Sequence, residues 1–321
     1  MTLNFICNVE LFLCMKITQV IQPTEGPGAI GYRRGVFFVL MSGVCFSIMG
    51  LAIRYIEIAN VWQILFYRSL SLTPLLFIII TLRSGNHPIL AIRKTGPAGI
   101  IGGLALVIAF SGGIYSIQAT TVANAMFLFA SAPFFAALLG YFILRESVRK
   151  ATWVSMIFAT AGICFMVWEG ISLGYLAGNL AAIASALGFA IFTVALRWKK
   201  LDDTMPTVFL AGVFAFIVSG TICMIQGNPL VVPANDIAIA LALGIFQVGA
   251  GLTLYTIGSK SVPAAELTVL SMTEVVLGPV WVWLAFGETA GIYTLLGGMV
   301  LLGAIVGNAL SGLRRKPTPI I

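Results

Sequence analysis

The chain has 321 residues, 60% of them hydrophobic and only 9% charged, with a mean hydropathy of +1.04. A water-soluble domain carries roughly 25% charged residues, so there is too little polar surface here to cover a soluble globule, and the composition reads as an integral membrane protein. The formal net charge of +7 raises nucleic acid as a partner, but the distribution of the basic residues along the chain argues against one.

In chain order, residues 1–34 form a lead-in expected on the cytoplasmic side. Leu3–Met15 is apolar but short, carries Glu10 and follows no basic segment, so a cleaved signal peptide is not expected. Met15-Lys16 is an alternative start. Ten apolar stretches follow, at about 35–53, 61–82, 97–117, 121–144, 152–168, 173–196, 206–226, 237–258, 263–286 and 291–312. At 1.5 Å per residue each is about long enough to cross a hydrocarbon core ~30 Å thick. Breaks such as Arg83-Ser84-Gly85 and Gly227-Asn228-Pro229 carry turn residues and charge. No strand-like alternation persists. Residues 313–321 form a basic tail.

Charge tests that count. With the N-terminus cytoplasmic and the spans alternating, one side receives 16 of the 18 basic residues, among them Arg33, Arg83, Arg149, Lys200, Lys260 and Arg315. Only Arg54 falls to the other side, and Arg68 lies inside the second stretch. That is the positive-inside pattern, and a miscount by one span would scramble it. The basic balance therefore reflects membrane orientation. The five cysteines form no Cys-x-x-Cys pair, and the single histidine, His87, excludes multi-histidine metal or haem sites. No cofactor or metal is expected.

The chain repeats itself. Tyr115–Ala125 is echoed by Tyr255–Ala265. Each copy runs through an apolar stretch containing a proline (Pro133, Pro279) to a glutamate and a hydroxyl residue, Glu146-Ser147 and Glu288-Thr289. Ala52-Ile53-Arg54-Tyr55 is likewise echoed by Ala195-Leu196-Arg197-Trp198. A period of this length is too long for a solenoid unit and marks two halves, 35–170 and 171–312. Five spans per half is an odd number, so the halves enter the membrane from opposite sides. Inverted repeats enclosing a midplane site are a transporter architecture. The fold class expected is an all-α polytopic membrane protein of ten helices in two inverted five-helix repeats.

The stretch Ala132-Pro133-Phe134-Phe135-Ala136-Ala137-Leu138-Leu139-Gly140, closing on Arg145-Glu146, resembles a signature of the EamA-type drug/metabolite transporter superfamily. Glu274 to Glu288 is similar to its second-half copy, although Val275 stands where that family usually has proline and the proline here is Pro279. The resemblance covers roughly residues 33–312. It implies a polytopic carrier of small organic solutes with both termini cytoplasmic, and by analogy export rather than import.

Candidate site residues follow from depth. Glu274 lies midway along the ninth stretch, where a carboxylate must face a cavity or a partner. It is read as a substrate-amine or proton site, against a hydrogen-bonded packing role. Arg68 could hold a substrate carboxylate by its planar fork. The structural alternatives, snorkelling outward or pairing with Glu57, are favoured for it. Gln247 and Ser271 are expected either to line the cavity or to bond between helices. Tyr115 and Tyr255, related by the repeat, join the substrate-binding set. Asn124 and Glu266 are a repeat-related gate or capping pair. Trp62, Trp168, Trp281 and Trp283 suit an interfacial belt, with one or two as cavity candidates. Glu146 and Glu288 are expected to cap the helix that follows each. Gly99–Gly103, Gly174–Gly178 and Gly303–Gly307 read as close-packing pairs.

The enzyme reading is poor, because Asp202, Asp203, Asp236 and His87 fall in breaks and no nucleotide-binding loop exists. The function expected is a secondary transporter of amino-acid-like or amphipathic amine metabolites across the inner membrane, by alternating access. The alternatives are an uptake carrier for a nucleoside- or cofactor-like metabolite and a passive channel. The partners are a small-molecule substrate, the lipid bilayer and protons as candidate coupling ion.

Overall fold

Hydrocarbon offers the backbone no hydrogen bonds, so a spanning segment must close its own, and in this chain it does so as helices. The computed structural model describes residues 29–313 apart from 86 and 202, and among these there is no strand. Residues 1–28 of the lead-in, residues 314–321 of the basic tail and Asp202 lie outside the described residues. Ten helical spans are long and apolar enough to cross a membrane. The first is Ala29–Arg54, the second Val61–Arg83, the third Gly96–Ala119, the fifth Lys150–Ser172, the sixth Leu176–Trp198 and the seventh Met205–Ile225. The ninth is Ala264–Phe286 and the tenth Ile292–Leu313.

Two spans are irregular. The fourth is broken into Val122–Phe129 and Ala132–Leu144. Pro133 has no N–H to give the carbonyl four residues earlier, and the helix restarts with this proline in its first turn. The eighth runs Ala234–Ala242, then as a π-helix over Leu243–Ala250, then Gly251–Gly258. Pro279, by contrast, is accommodated inside a continuous ninth helix. The two halves thus differ in how they accommodate a proline, and the two prolines are not at equivalent positions.

Helix ends are built from local chemistry. Asn60 opens the second span with a capping box: its Oδ1 accepts from the amides of Trp62 (2.9 Å) and Gln63 (3.1 Å), and Gln63 Oε1 accepts from Asn60 N at 2.9 Å. Asp236, at the start of the eighth span, accepts from the amides of Glu57, Ile58 and Ala59 at 3.2, 3.0 and 2.9 Å, so it is part of the bundle and not a loop residue. Glu169 caps the tenth span, accepting from Thr294 N at 2.7 Å and Thr294 Oγ1 at 2.6 Å.

The packing carries the repeat. The third span packs on the sixth and its counterpart, the eighth, on the first; the fourth packs on the sixth and the ninth on the first; the seventh packs on the third and the second on the eighth. The second and seventh, fifth and tenth, and fourth and ninth spans meet their own counterparts. Two equivalent units result, one of spans one, eight and nine, the other of spans six, three and four. Each contains helices from both halves of the chain.

Glycine decides where helices come closest, though not at every pair expected. At Gly188 a Cβ would lie 2.6 Å from Ala105 O and 2.9 Å from Ala109 N, so only glycine fits the contact of the sixth span with the third. Gly103 and Gly178 serve similarly, against Phe214 and the Ala119 backbone. Gly174 is instead a turn residue at φ +77°, and Gly303 and Gly307 have nothing within 4 Å, so these three are not packing devices. Gly188→Val is expected to destabilise the protein by about 1–3 kcal/mol through overpacking. The measurement is thermal unfolding in detergent, where the midpoint should fall by several degrees and Gly303→Ala should leave it unchanged.

Candidate functional site

The polar residues of the bundle interior gather around the π-helical part of the eighth span. Arg68, on the second span, is 3% exposed, and its guanidinium lies over the ring of Phe110 from the third span at 4.6 Å. The eighth span reaches this point because Gly244 has no side chain: a Cβ there would sit 3.1 Å from Leu72 N, beside the Arg68 backbone. Ser71 Oγ ties the two helices by donating to Leu241 O at 2.8 Å. Three residues on, Gln247 is 6% exposed and its Nε2 contacts Met49 Sδ of the first span at 3.9 Å. Among the described residues, Nε and Nη1 of Arg68 and Oε1 of Gln247 are buried without a partner. Neither structural reading of Arg68 holds: it does not snorkel, and Glu57 is exposed and forms no ion pair with it.

Glu274 is half-buried midway along the 23-residue ninth span and has no hydrogen bond or ion pair among the described residues. Gly43 of the first span packs beside it; a Cβ at Gly43 would lie 3.1 Å from Thr273 Cβ and 3.6 Å from Glu274 N. Ser271, one turn before Glu274, donates to Leu267 O at 2.8 Å and lies near the phenol of Tyr255 from the eighth span. Glu274, Ser271 and Tyr255 therefore share one region and Arg68 and Gln247 another, with no direct ion pair between Glu274 and Arg68. Tyr115 is 42% exposed and does not share the half-buried setting of its counterpart. Trp281 departs from the interfacial role, since its Nε1 donates to Ser47 Oγ at 2.9 Å inside the bundle, whereas Trp168 is 73% exposed.

Arg54 and Glu288, noted separately in the sequence, form an ion pair at 2.8 Å, and Arg197 pairs with Glu146. The pairs are repeat counterparts at opposite faces of the bundle. Each glutamate is aimed by a left-handed residue just before it, Arg145 at φ 54° and Gly287 at φ 66°. Glu288 does not cap the helix that follows it. Its Oε1 accepts from Val122 N at 2.7 Å, capping the fourth span, while Arg54 donates to Thr120 O at 2.7 Å. The Arg54 pair thus bolts its own unit to the opposite one across the turn between spans three and four. Arg197 and Glu146 are more exposed, and among the described residues they make no such bond to the corresponding turn, residues 259–263. Asn124 and Glu266 tie the starts of the same helix pairs: Asn124 Nδ2 donates to Asn179 Oδ1 and Glu266 Oε2 accepts from Tyr32. The cap of the fourth span is Thr121, not Asn124.

Burial follows the same asymmetry. Val122–Leu128, opening the fourth span, are all buried, while Glu266–Glu274, in the corresponding part of the ninth, are all half-buried. So are Leu252–Ile257 of the eighth. A helix packed on one side alternates buried and exposed positions; uniform half-burial means that no side is fully packed. One face of the bundle is therefore sealed at Arg54–Glu288. The other, rich in basic residues, is loosely packed down to the depth of Glu274. A groove of about 240 Å³ near Glu288, lined by Phe127, Pro279 and Trp283, is separate from this interior, as neither Arg68, Gln247 nor Glu274 lines it.

A ten-span inverted repeat with unpaired polar groups at mid-depth defines a polytopic membrane protein of transporter type. Residues 33–168 and 176–310 each match the EamA-like transporter family, and the chain belongs to it. It is similar to the pseudopaline exporter CntI of Pseudomonas aeruginosa, 25% identical over 284 residues that cover 85% of this chain and 95% of the relative. An uncharacterized transporter of Helicobacter pylori is 22% identical over 258 residues, covering 76% and 84% of the two chains. A crystal structure of a protein superposes with a TM-score of 0.62 at 19% identity, covering 88% of this chain and 100% of that one, which shows the shared fold.

Sequence reasoning noted all four latch residues without joining them, and it missed Phe110. The signal for the latch was an arginine and a glutamate recurring at matched places in both halves. If the Arg54–Glu288 pair contributes about 1 kcal/mol to closure, Arg54→Gln should shift the equilibrium about fivefold towards an open face. The check is the rate at which a membrane-impermeant maleimide, added from that face, labels a cysteine at Met49 in an otherwise cysteine-free chain.

Proposed function

We propose that this protein is a secondary carrier that moves amino-acid-like or amphipathic amine metabolites across the inner membrane by alternating access, with both termini cytoplasmic and net export. The observation that carries the reading is the unequal state of two equivalent latches. Arg54–Glu288 holds the turn between spans three and four, whereas Arg197–Glu146 stands free of the turn at 259–263. In the alternate state the second latch engages its turn and the first releases. Rocking the one–eight–nine unit against the six–three–four unit then exposes the interior to each side in turn. Under the expected orientation the present state opens to the cytoplasm, where an exporter loads. Similarity to a protein named as an exporter supports the same direction.

Glu274 sits at the inner end of the loosely packed region, unpaired and positioned to meet an ammonium group or to carry a proton. Tyr255 and Ser271 flank its approach. A carrier rather than a pore requires saturable flux and counterflow driven by excess unlabelled solute.

Glu274→Gln is expected to lower transport in proteoliposomes at least tenfold and to flatten its dependence on pH. A variant that keeps both the parent rate and the parent pH profile would remove Glu274 from the cycle. Orientation is checked separately: a cysteine at Lys200 should label only from the cytoplasm and one at Asn228 only from outside.

A further inference from the structure

Among the described residues, no carboxylate neutralises the fixed cation of Arg68. A guanidinium stays charged under all ordinary conditions, and leaving one buried and unpaired costs several kcal/mol. The carboxylates in its half of the bundle are engaged elsewhere. Asp236 accepts from three backbone amides, Glu288 holds Arg54 and Val122 N, and Glu57 is exposed. Phe110 covers one face of the guanidinium, which leaves its in-plane donors Nε and Nη1 vacant. Nearby, on a π-helical segment of the kind that recurs at functional sites, Gln247 presents a vacant acceptor.

The repeat sharpens the point. At the offset that joins Arg54 to Arg197, Arg68 corresponds to Ala211, and at the offset that joins the two tyrosines, Gln247 corresponds to Val107. Latch residues recur in both halves because both faces must close. Arg68 and Gln247 do not recur, as befits groups that meet a solute with two different ends.

We propose that Arg68 is the docking point for a carboxylate of the transported solute, and that Gln247 Oε1 accepts an N–H or O–H of the same molecule. A single cation with one flat, unpaired edge matches a monoanionic carboxylate in charge and shape. A phosphate dianion would bring excess charge into a low-dielectric interior. Phe110 holds the guanidinium plane, and the solute carboxylate binds in that plane. This assignment rests on the transport reading above and narrows its substrate class to carboxylates.

The test begins with mass spectrometry of medium and cytosol from cells overproducing the parent chain, compared with cells lacking it. Each solute whose distribution changes is then assayed in proteoliposomes as the free acid and as its primary amide. The parent should move the acid at least tenfold better than the amide. Arg68→Gln should raise KM for the acid at least tenfold and abolish the preference, with Arg68→Lys intermediate. Transported solutes without a carboxylate, equal transport of acid and amide by the parent, or a preference that survives Arg68→Gln would each overturn the assignment while leaving a carrier in place. The acid-to-amide comparison on the parent stands even where a variant does not fold. A parent that moves no solute, or whose flux neither saturates nor shows counterflow, defeats the transport reading itself, and the Arg68 assignment falls with it.

Discussion

Hydrocarbon cannot solvate a polar group, and the bundle is organised by that fact. Backbone polarity is closed within helices, and side-chain hydroxyls are mostly turned back onto their own helix, as in Thr73 to Ser69 O at 2.7 Å and Thr253 to Gly249 O at 2.8 Å. Charged residues near the helix ends find partners across the bundle: Asp236 on the first interhelical turn, Glu169 on the tenth span, Arg54 on Glu288. Against that background, Arg68, Gln247 and Glu274 stand unpaired among the described residues, as do Asn124 Oδ1 and Thr207 Oγ1, and an unpaired ionisable group within the membrane is where a solute can substitute for missing partners.

The inverted repeat supplies the mechanical frame. Counterpart helices pack in counterpart ways, so the two three-helix units are built alike. A perfectly symmetric pair would have no reason to stay closed at one face and open at the other. The local chemistry differs between faces. Thr121 and Glu288 both cap the fourth span, whereas the ninth begins at Pro263, which has no capping side chain. The fourth span is broken ahead of Pro133, while the ninth continues through Pro279. In the proposed cycle these differences would bias one conformation over the other, and a carrier needs such a bias to be small and reversible.

Much of the architecture was legible in one dimension. Ten apolar stretches of crossing length, the basic residues on alternate breaks and the echo of Tyr115–Glu146 in Tyr255–Glu288 each report a local property: hydropathy, charge or residue order. The site was legible only by depth. Glu274 could be singled out because its distance from both ends of its helix follows from rise per residue. Its company could not, since Tyr255 and Ser271 lie on different helices and their meeting depends on packing. Arg68 shows the limit most clearly. Pairing with Glu57 was reasonable by proximity in the chain, yet Glu57 lies at the surface and the guanidinium turns inward over Phe110.

By itself the sequence determined that the chain lives in a bilayer, how many times it crosses and that its halves are inverted, because hydropathy, charge and repetition are properties that each segment carries wherever it is placed. Only the tertiary structure decided which arginine meets which glutamate, which face is sealed and which polar atoms remain without partners. Those depend on distances between helices far apart in the chain. They are set by glycines such as Gly188 and Gly244, whose significance lies in what stands opposite them.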